Sequence, residues 1–196
     1  MVSTGSTNRF EYAPAPESRS VVDIRSSYGL FVNGEFVDPT GGRSFKTINP
    51  ATEEVLAEVS EASADDVDLA VKAARRAYTR VWSRMSGPER SKYLFRIARI
   101  LQERSREFAV LESIDNGKPI KESRDVDVPT AAAHFFYYAG WADKLEYALP
   151  GNVRGGADPK PLGVAGQIIP WTFPLLMQRT KMTTGRYSGP DYFTLD

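Results

Sequence analysis

The chain of 196 residues contains no cysteine. This absence excludes disulfide bonds, thiolate metal sites and a cysteine nucleophile within the sequence, and it agrees with a reducing compartment. An excess of charge of one sign is also missing, because 25 Lys and Arg residues balance 25 Asp and Glu residues. The sequence therefore has no electrostatic footprint that would indicate a nucleic-acid partner or an anionic membrane surface.

A long apolar run is missing from the start of the chain. Residues 1–27 are rich in Ser, Pro and charge, and they offer no period on which a buried face could form. They lack the apolar core of a secretory signal and the roughly 18 apolar residues of a membrane-spanning helix. We interpret residues 1–27 as a flexible lead, and we expect a cytoplasmic protein without a membrane partner.

The region from about Tyr28 to residue 59 has the pattern of a small β unit. The pair Asn33-Gly34 separates two short extended runs and tolerates the positive φ angles of a type I′ turn, which predicts a hairpin. Residues 44–49 and 54–59 form a second pair of extended runs, joined by a loop that starts at Pro50.

Four helices are predicted after the β unit. Capping signals at Ser63 and Ser86 begin the first two. The third covers residues 107–114, and the fourth runs from Lys121 to about residue 146 with an interruption near Pro129. The helical period places the following residues on inward faces: Val67, Ala70, Val71, Ala74, Ala77, Tyr78 and Val81 in the first helix, and Leu94, Ile97, Ala98 and Leu101 in the second.

A short apolar run returns at residues 162–169, after a loop rich in glycine and proline. Its glycine and β-branched residues predict a strand that is buried on both faces in a parallel sheet. The strand would end at Pro170. Residues 178–196 have no helical or strand period, so we expect this tail to lie outside the domain.

Five separated segments together resemble the aldehyde dehydrogenase superfamily. In chain order they read FVNG at 31–34, INPAT at 48–52, DNGKP at 115–119, AGWAD at 139–143 and PLGVAGQIIPW at 161–171. The resemblance implies an α/β fold in which residues 28–177 are the N-terminal part of the family's cofactor domain. That part comprises a small β unit, a helical layer and the start of a Rossmann-like parallel sheet. Residues 141–161 would include part of an oligomerisation segment, which implies a homo-oligomer.

The family resemblance also implies a chemistry, the oxidation of an aldehyde to a carboxylic acid with NAD or NADP. In that reaction a cysteine thiolate attacks the aldehyde, a hydride moves to the nicotinamide, and a glutamate activates the water that releases the acid. Ligands bind outside the carboxyl ends of parallel strands, and the resemblance places the cofactor there against Ile168, Ile169, Pro170 and Trp171. It places Phe173 and Met177 in the substrate tunnel.

Two groups that this reaction needs are not found in the 196 residues. The cysteine is absent, and the family's glutamate would come later than position 196. The family's ribose-binding lysine and its pyrophosphate-binding turn would follow Met177. The resemblance therefore predicts a truncated dehydrogenase that is inactive alone, and it puts cofactor binding by this chain in question. The alternative is a non-catalytic binding or regulatory module that associates with full-length subunits through residues 141–161.

One position departs from the family pattern within the matched region. The family's PWNFP reads PWTFP here, so Thr172 stands where the family has the asparagine that donates to the oxyanion. Removing one such donor from a protease costs about 2.7–4 kcal/mol. Either catalysis is impaired in a full-length relative, or a subgroup tolerates threonine, with a water completing the contact.

Two further motifs allow both a functional and a structural interpretation. Asp115, with the main chain at Thr47 and Ile48, resembles a monovalent-cation site of some family members, but an Asp before Asn-Gly most often caps a helix end or a turn. His134 is the only histidine, and it is expected to pack or face solvent rather than act in catalysis. The aromatic block 135–138 is expected in the core, with a wall of the substrate tunnel as the alternative.

Overall fold

The computed structural model describes residues 18–144, 163–178 and 192–195. Within these residues the fold is mixed α/β, as the sequence predicted. Its strands form three small sheets, one of three strands and two of two strands. The strands are β1 Ser27–Tyr28, β2 Leu30–Val32, β3 Glu35–Val37, β4 Ser44–Ile48, β5 Val55–Ser60, β6 Ala165–Ile168 and β7 Tyr192–Leu195.

The small β unit confirms both predicted strand pairs. Strands β2 and β3 pair antiparallel, and the turn between them has positive φ at Asn33 (57°) and Gly34 (87°), as a type I′ turn requires. Strand β5 lies between β4, which is antiparallel to it, and β1, which is parallel to it.

Regular structure begins earlier than the sequence predicted. A short 3₁₀ turn covers Arg19–Val21, and the Arg19 guanidinium lies 3.1 Å from the Glu54 carboxylate. Strand β1 then begins at Ser27. The flexible lead was predicted to extend to residue 27, but residues 18–27 contact the β4–β5 loop and β5. The described structure therefore begins before the predicted end of the lead. Residues 1–17 lie outside the described part of the chain.

The predicted helical layer is present. Helices α1 and α2 begin at capping boxes, in which Ser63 and Ser86 cap the helix and an acidic residue in the first turn bonds back to the cap. The helices are α1 Ala64–Arg80, α2 Gly87–Glu103, α3 Ser105–Asn116, α4 Ile120–Glu122 and α5 Val128–Trp141. The inward face of α1 was partly wrong: Ala73 is buried, whereas Ala77 and Val81 are exposed.

The predicted interruption of the fourth helix lies just before Pro129. A π-helical segment, Ser123–Asp127, separates α4 from α5, and Pro129 lies in the first turn of α5. Proline has no N–H to donate to the preceding turn, and its ring crowds the carbonyl of that turn. A locally wider helix relieves the crowding, so the chain continues in the same general direction instead of ending.

The core lies mainly between α2 and α5. Leu94, Ala98 and Leu101 of α2 pack with residues of α5, which confirms the predicted inward face of α2. The Ser91 hydroxyl also donates to the main-chain carbonyl of Ala139 at 2.8 Å. The partners on and just after α5 are Ala132, Phe135, Ala139 and Ala142.

Strand β6 confirms a parallel pairing and corrects the expected burial. It pairs parallel with β7, but Ile168 is 76% exposed and only Gln167 is buried among its residues. In the described part of the chain β7 is the one strand that pairs with β6, so the other edge of β6 has no strand beside it. The prediction that residues 178–196 lack regular structure was wrong for 192–195. Residues 145–162 and 179–191, with most of the predicted oligomerisation segment, lie outside the described ranges.

Candidate functional site

The turn that follows β6 carries most of the predicted site residues. Pro170 ends the strand, and the Phe173 N–H donates to the Pro170 carbonyl at 3.4 Å. A helical turn then covers residues 174–178, in which the Met177 N–H donates to the Phe173 carbonyl at 2.8 Å. The residues from 168 to 177 therefore lie consecutively along one strand end, one tight turn and one helical turn.

The four predicted cofactor residues lie together at the carboxyl end of β6. Ile168 and Trp171 are 76% and 85% exposed, Pro170 is exposed, and Ile169 is half-buried. The exposed side chains of Ile168, Pro170 and Trp171 are apolar and lie at a strand end, the place at which α/β proteins bind nucleotide cofactors. Their role in cofactor binding stays a prediction.

The predicted oxyanion and tunnel residues occupy the same turn. Thr172 is exposed at its tip, between Trp171 and Phe173. Phe173 is 41% exposed, and Met177 is half-buried in the helical turn. The structure thus places these three residues within one short segment beside the apolar surface.

A cavity of about 210 Å³ lies on the other side of this segment. Phe108 and Leu111 of α3 form one wall, and Ile169 and Leu175 form the opposite wall. Glu112 and Asp115 of α3 also line it, together with Gln178, so two acidic side chains and one amide border a space whose other walls are apolar. The cavity therefore lies between α3 and the end of β6.

A buried charge cluster lies next to the cavity. The Lys118 ammonium is 2.5 Å from Asp127 Oδ2 and 3.4 Å from Glu112 Oε1. The side chains of Lys118, Glu112 and Asp127 are only 7%, 4% and 1% exposed. Two carboxylates therefore share one ammonium away from water, an arrangement that leaves one negative charge incompletely compensated.

This imbalance acts on Glu112. Burial raises the pKa of the Glu112 carboxyl to about 7, and repulsion from Asp127 acts in the same direction, while Lys118 opposes both. Glu112 Oε2 has no hydrogen-bond partner among the described residues, which agrees with a carboxyl that holds a proton readily. Glu112 can therefore change charge near neutral pH.

The charge cluster contacts the turn after β6. Lys118 Nζ lies 3.8 Å from the centroid of the Phe173 ring, within cation–π range. At the end of α3, the Asn116 amide donates to the main-chain carbonyl of Trp171. The sequence patterns did not predict this cluster. A usable signal was Glu112, which lies three residues after Ala109 on the buried face of α3.

Two of the three predicted cation-site residues are in contact. The Thr47 hydroxyl donates to Asp115 Oδ1 at 2.5 Å, and Ile48 follows Thr47 at the end of β4. This hydrogen bond joins α3 to β4, so it is a contact between two elements and not the local cap that was the alternative for Asp115. Gly117, with φ of 82°, ends α3 instead. In the described ranges no group of three or more His, Cys, Asp or Glu residues could hold a metal ion.

The remaining candidates are divided between core and surface. Phe135 is buried in the core, as expected, whereas Tyr137 is 57% exposed. His134 is half-buried, and its Nδ1 has no hydrogen-bond partner in the described structure. No helix within the described ranges is long and apolar enough to cross a membrane.

Comparison with known sequences identifies similar proteins. The model of the Aldehyde dehydrogenase family matches residues 36–187. The chain is 49% identical over 152 residues to the mitochondrial aldehyde dehydrogenase family 2 member B4 of Arabidopsis thaliana, covering 76% of this chain and 28% of that protein. It is 47% identical over 164 residues to a mitochondrial aldehyde dehydrogenase of Leishmania tarentolae, covering 82% and 32%.

Comparison with solved structures gives the same result. The structure of the NAD+ complex of an aldehyde dehydrogenase from Bacillus cereus superposes with a TM-score of 0.72 at 38% identity. The superposition covers 87% of this chain and 35% of that chain. The present chain therefore spans about a third of the length of the proteins that it matches.

Proposed function

This chain belongs to the aldehyde dehydrogenase family, and on that premise we propose that it forms the N-terminal part of an enzyme that oxidises an aldehyde to a carboxylic acid with NAD or NADP. The observation that carries the proposal is the exposed apolar surface at the carboxyl end of β6, next to the turn that holds Thr172. A relative with this fold, the Bacillus cereus enzyme, binds NAD+.

The residues present fit one part of the cofactor. Ile168, Pro170 and Trp171 expose apolar side chains suited to a nicotinamide ring, which would accept the hydride when bound, whereas Ile169 lines the cavity on the other side. A pyrophosphate needs cations or free N–H groups. Lys118, the cation that contacts this turn, is already shared by two carboxylates. The fit is therefore to a ring and not to phosphates, and we expect weak cofactor binding by this chain alone.

The proposal assigns the Thr172 hydroxyl to the developing oxyanion. Its hydroxyl reaches less far than an asparagine amide, and the loss of one such donor costs about 2.7–4 kcal/mol in a protease. The thiolate must come from outside these 196 residues, because the chain has no cysteine. The family resemblance places the glutamate base later than position 196. The isolated chain is therefore expected to produce no NADH from any aldehyde.

A chimera tests this function. Residues 1–177 are joined to the C-terminal part of the Bacillus cereus enzyme, which has the same fold over this region. We expect NAD-dependent aldehyde oxidation by the chimera, and a kcat that rises by about 10²-fold or more in Thr172→Asn. A folded chimera without activity, both with Thr172 and with Thr172→Asn, would contradict the proposal. Stable binding of the inactive chain to intact enzyme would instead support the non-catalytic module.

Assembly and location belong to the same proposal. A homo-oligomer through residues 141–161 is expected, and light scattering of the chimera with and without substitutions at exposed Trp141 tests it. A cytoplasmic location stays a prediction. The two sequence relatives above carry the word mitochondrial in their names, so fractionation of cells that make this protein is the direct measurement.

A further inference from the structure

The last residue of α3 and the loop that follows it contact the turn after β6 at two points. The Asn116 amide donates to the Trp171 carbonyl, and the Lys118 ammonium lies over the Phe173 ring. Thr172 lies between these two attached residues. The Thr172 side chain is exposed, so the main chain on either side of Thr172 sets the direction of its hydroxyl.

Lys118 is well suited to hold the Phe173 ring. Its side chain is 7% exposed, and its contacts with Asp127 and Glu112 fix the position of the ammonium. A cation that is removed from water and held in place attracts an aromatic face more strongly than a solvated one. A flexible surface lysine would lose this advantage, because ordering its side chain would cost entropy.

We propose that Lys118 is a positioning residue for Thr172, because it anchors the Phe173 ring beside the oxyanion position through a cation held by Asp127 and Glu112. This inference rests on the proposed function for its catalytic consequence. Its structural half, the anchoring of the turn, stands on the contacts alone. The two halves can be measured separately.

The anchoring is tested in the 196-residue chain with a fluorescence reporter. Trp82→Phe and Trp141→Phe leave Trp171, whose indole is 85% exposed, as the only tryptophan. We expect Lys118→Met, which removes the charge and keeps the length, to increase the local rotation of Trp171 in time-resolved anisotropy. The exposed Lys121 supplies the matched control, and Lys121→Met should leave the rotation unchanged.

A second variant covers the case in which Lys118→Met fails to fold, since it leaves two buried carboxylates without a cation. Phe173→Leu removes the aromatic face and keeps the charge cluster intact. We expect the same gain in Trp171 rotation, and no additional gain in the double variant if it folds. Unchanged anisotropy in folded Phe173→Leu would overturn the proposal, whatever Lys118→Met does.

The catalytic half is tested in the chimera. Phe173→Leu should lower kcat by between about 10-fold and 100-fold, because a small displacement of a catalytic donor has effects of this size. NAD+ affinity, measured by titration, should stay within about twofold, since Phe173 is not among the four predicted cofactor residues. Lys118→Arg, which keeps a cation, should retain more of kcat than Lys118→Met.

These results separate the two ideas. If the parent chimera is inactive but Phe173→Leu loosens Trp171, the proposed function fails and the anchoring is supported. If the chimera is active and Phe173→Leu loosens Trp171 without changing kcat, the positioning role fails while the proposed function survives. An equal loss of kcat in Lys121→Met would also overturn the assignment to Lys118.

Discussion

The Thr40 hydroxyl donates a 2.5 Å hydrogen bond to Asp66 Oδ1, and this bond joins the loop after β3 to the first turn of α1. Asp66 Oδ1 also accepts from the Thr40 N–H at 3.0 Å, and its Oδ2 accepts from the N–H and hydroxyl of Ser63. One carboxylate thus completes the capping box and connects the β unit to the helical layer. The four bonds, led by that of the Thr40 hydroxyl, hold the pKa of Asp66 well below its usual range.

Substituting Asp66→Asn should destabilise the chain most at neutral pH. A carboxyl with a lowered pKa contributes stability that is present above its unfolded value of 3.8 and is lost as the pH falls through the folded value. We therefore expect the urea midpoint of the variant to be lower than that of the parent at about pH 6, and the gap to narrow at about pH 3. Asp65→Asn, one residue earlier on the exposed side of α1, is the matched control. A gap that does not change with pH would contradict this reading of Asp66.

Substituting Gly117→Ala should destabilise the end of α3. Gly117 has φ of 82°, and a Cβ there would lie 2.7 Å from Pro50 Cγ. A non-glycine residue in the left-handed region costs roughly 1–2 kcal/mol, and displacement of Pro50 adds to this. Gly34→Ala is the control, because its φ is 87° and its Cβ would meet no atom within 4 Å. Urea unfolding should show a larger loss at Gly117 than at Gly34, and equal losses would exclude a role for Pro50.

Truncation of the α2–α5 core should have a larger effect. Leu101 is 5% exposed within the cluster formed by α2 and α5, so Leu101→Ala should lower the free energy of unfolding by about 2–5 kcal/mol. Ile100, its neighbour on α2, is 42% exposed, and Ile100→Ala should cost much less. Chemical denaturation of both variants measures the difference. Similar losses would mean that the face assigned to solvent is buried.

Local sequence signals predicted much of this fold. The Asn33-Gly34 turn, the caps at Ser63 and Ser86, and the break near Pro129 act over four residues or fewer, so their physics can be read from the sequence. The burial of β6 could not be read in this way. Its apolar run indicates a buried strand, but burial depends on which distant segments cover it, and Ile168 is exposed in the described structure.

The same distinction explains the candidate site. Residues 168–171 were predicted as a group because they are consecutive and lie at a strand end. The cluster of Glu112, Lys118 and Asp127 was missed because it joins a helix, a loop and a π-helical segment. Charged residues at such positions are most simply assigned to solvated faces, and only tertiary contacts show that these three are buried.

The stability of the chain should fall as the pH rises from about 4.5 to about 7. Burial raises the pKa of Glu112 from 4.5 to about 7, so within this window the folded chain holds a proton that the unfolded chain has released. The free energy of unfolding then decreases with pH, by at most about 1.4 kcal/mol per pH unit from this group. The charged groups that share the buried cluster with Glu112 are Asp127 and Lys118. Asp115, on the same helix as Glu112, lines the neighbouring cavity.

Glu112→Gln should remove this slope. The variant's gain in free energy of unfolding over the parent should therefore be larger above about pH 7 than below it. Because histidines generally titrate in the same range, the comparison is made with His134→Gln in both proteins. Glu107→Gln is the control on the same helix. Its salt bridge with Arg104 lowers the pKa of Glu107, so its contribution changes below pH 4.5 and leaves the slope between 4.5 and 7 intact. Urea unfolding across this range measures the slope. A slope that persists in Glu112→Gln would show that Glu112 releases its proton in the folded chain at its ordinary pKa, and that Lys118 compensates both carboxylates.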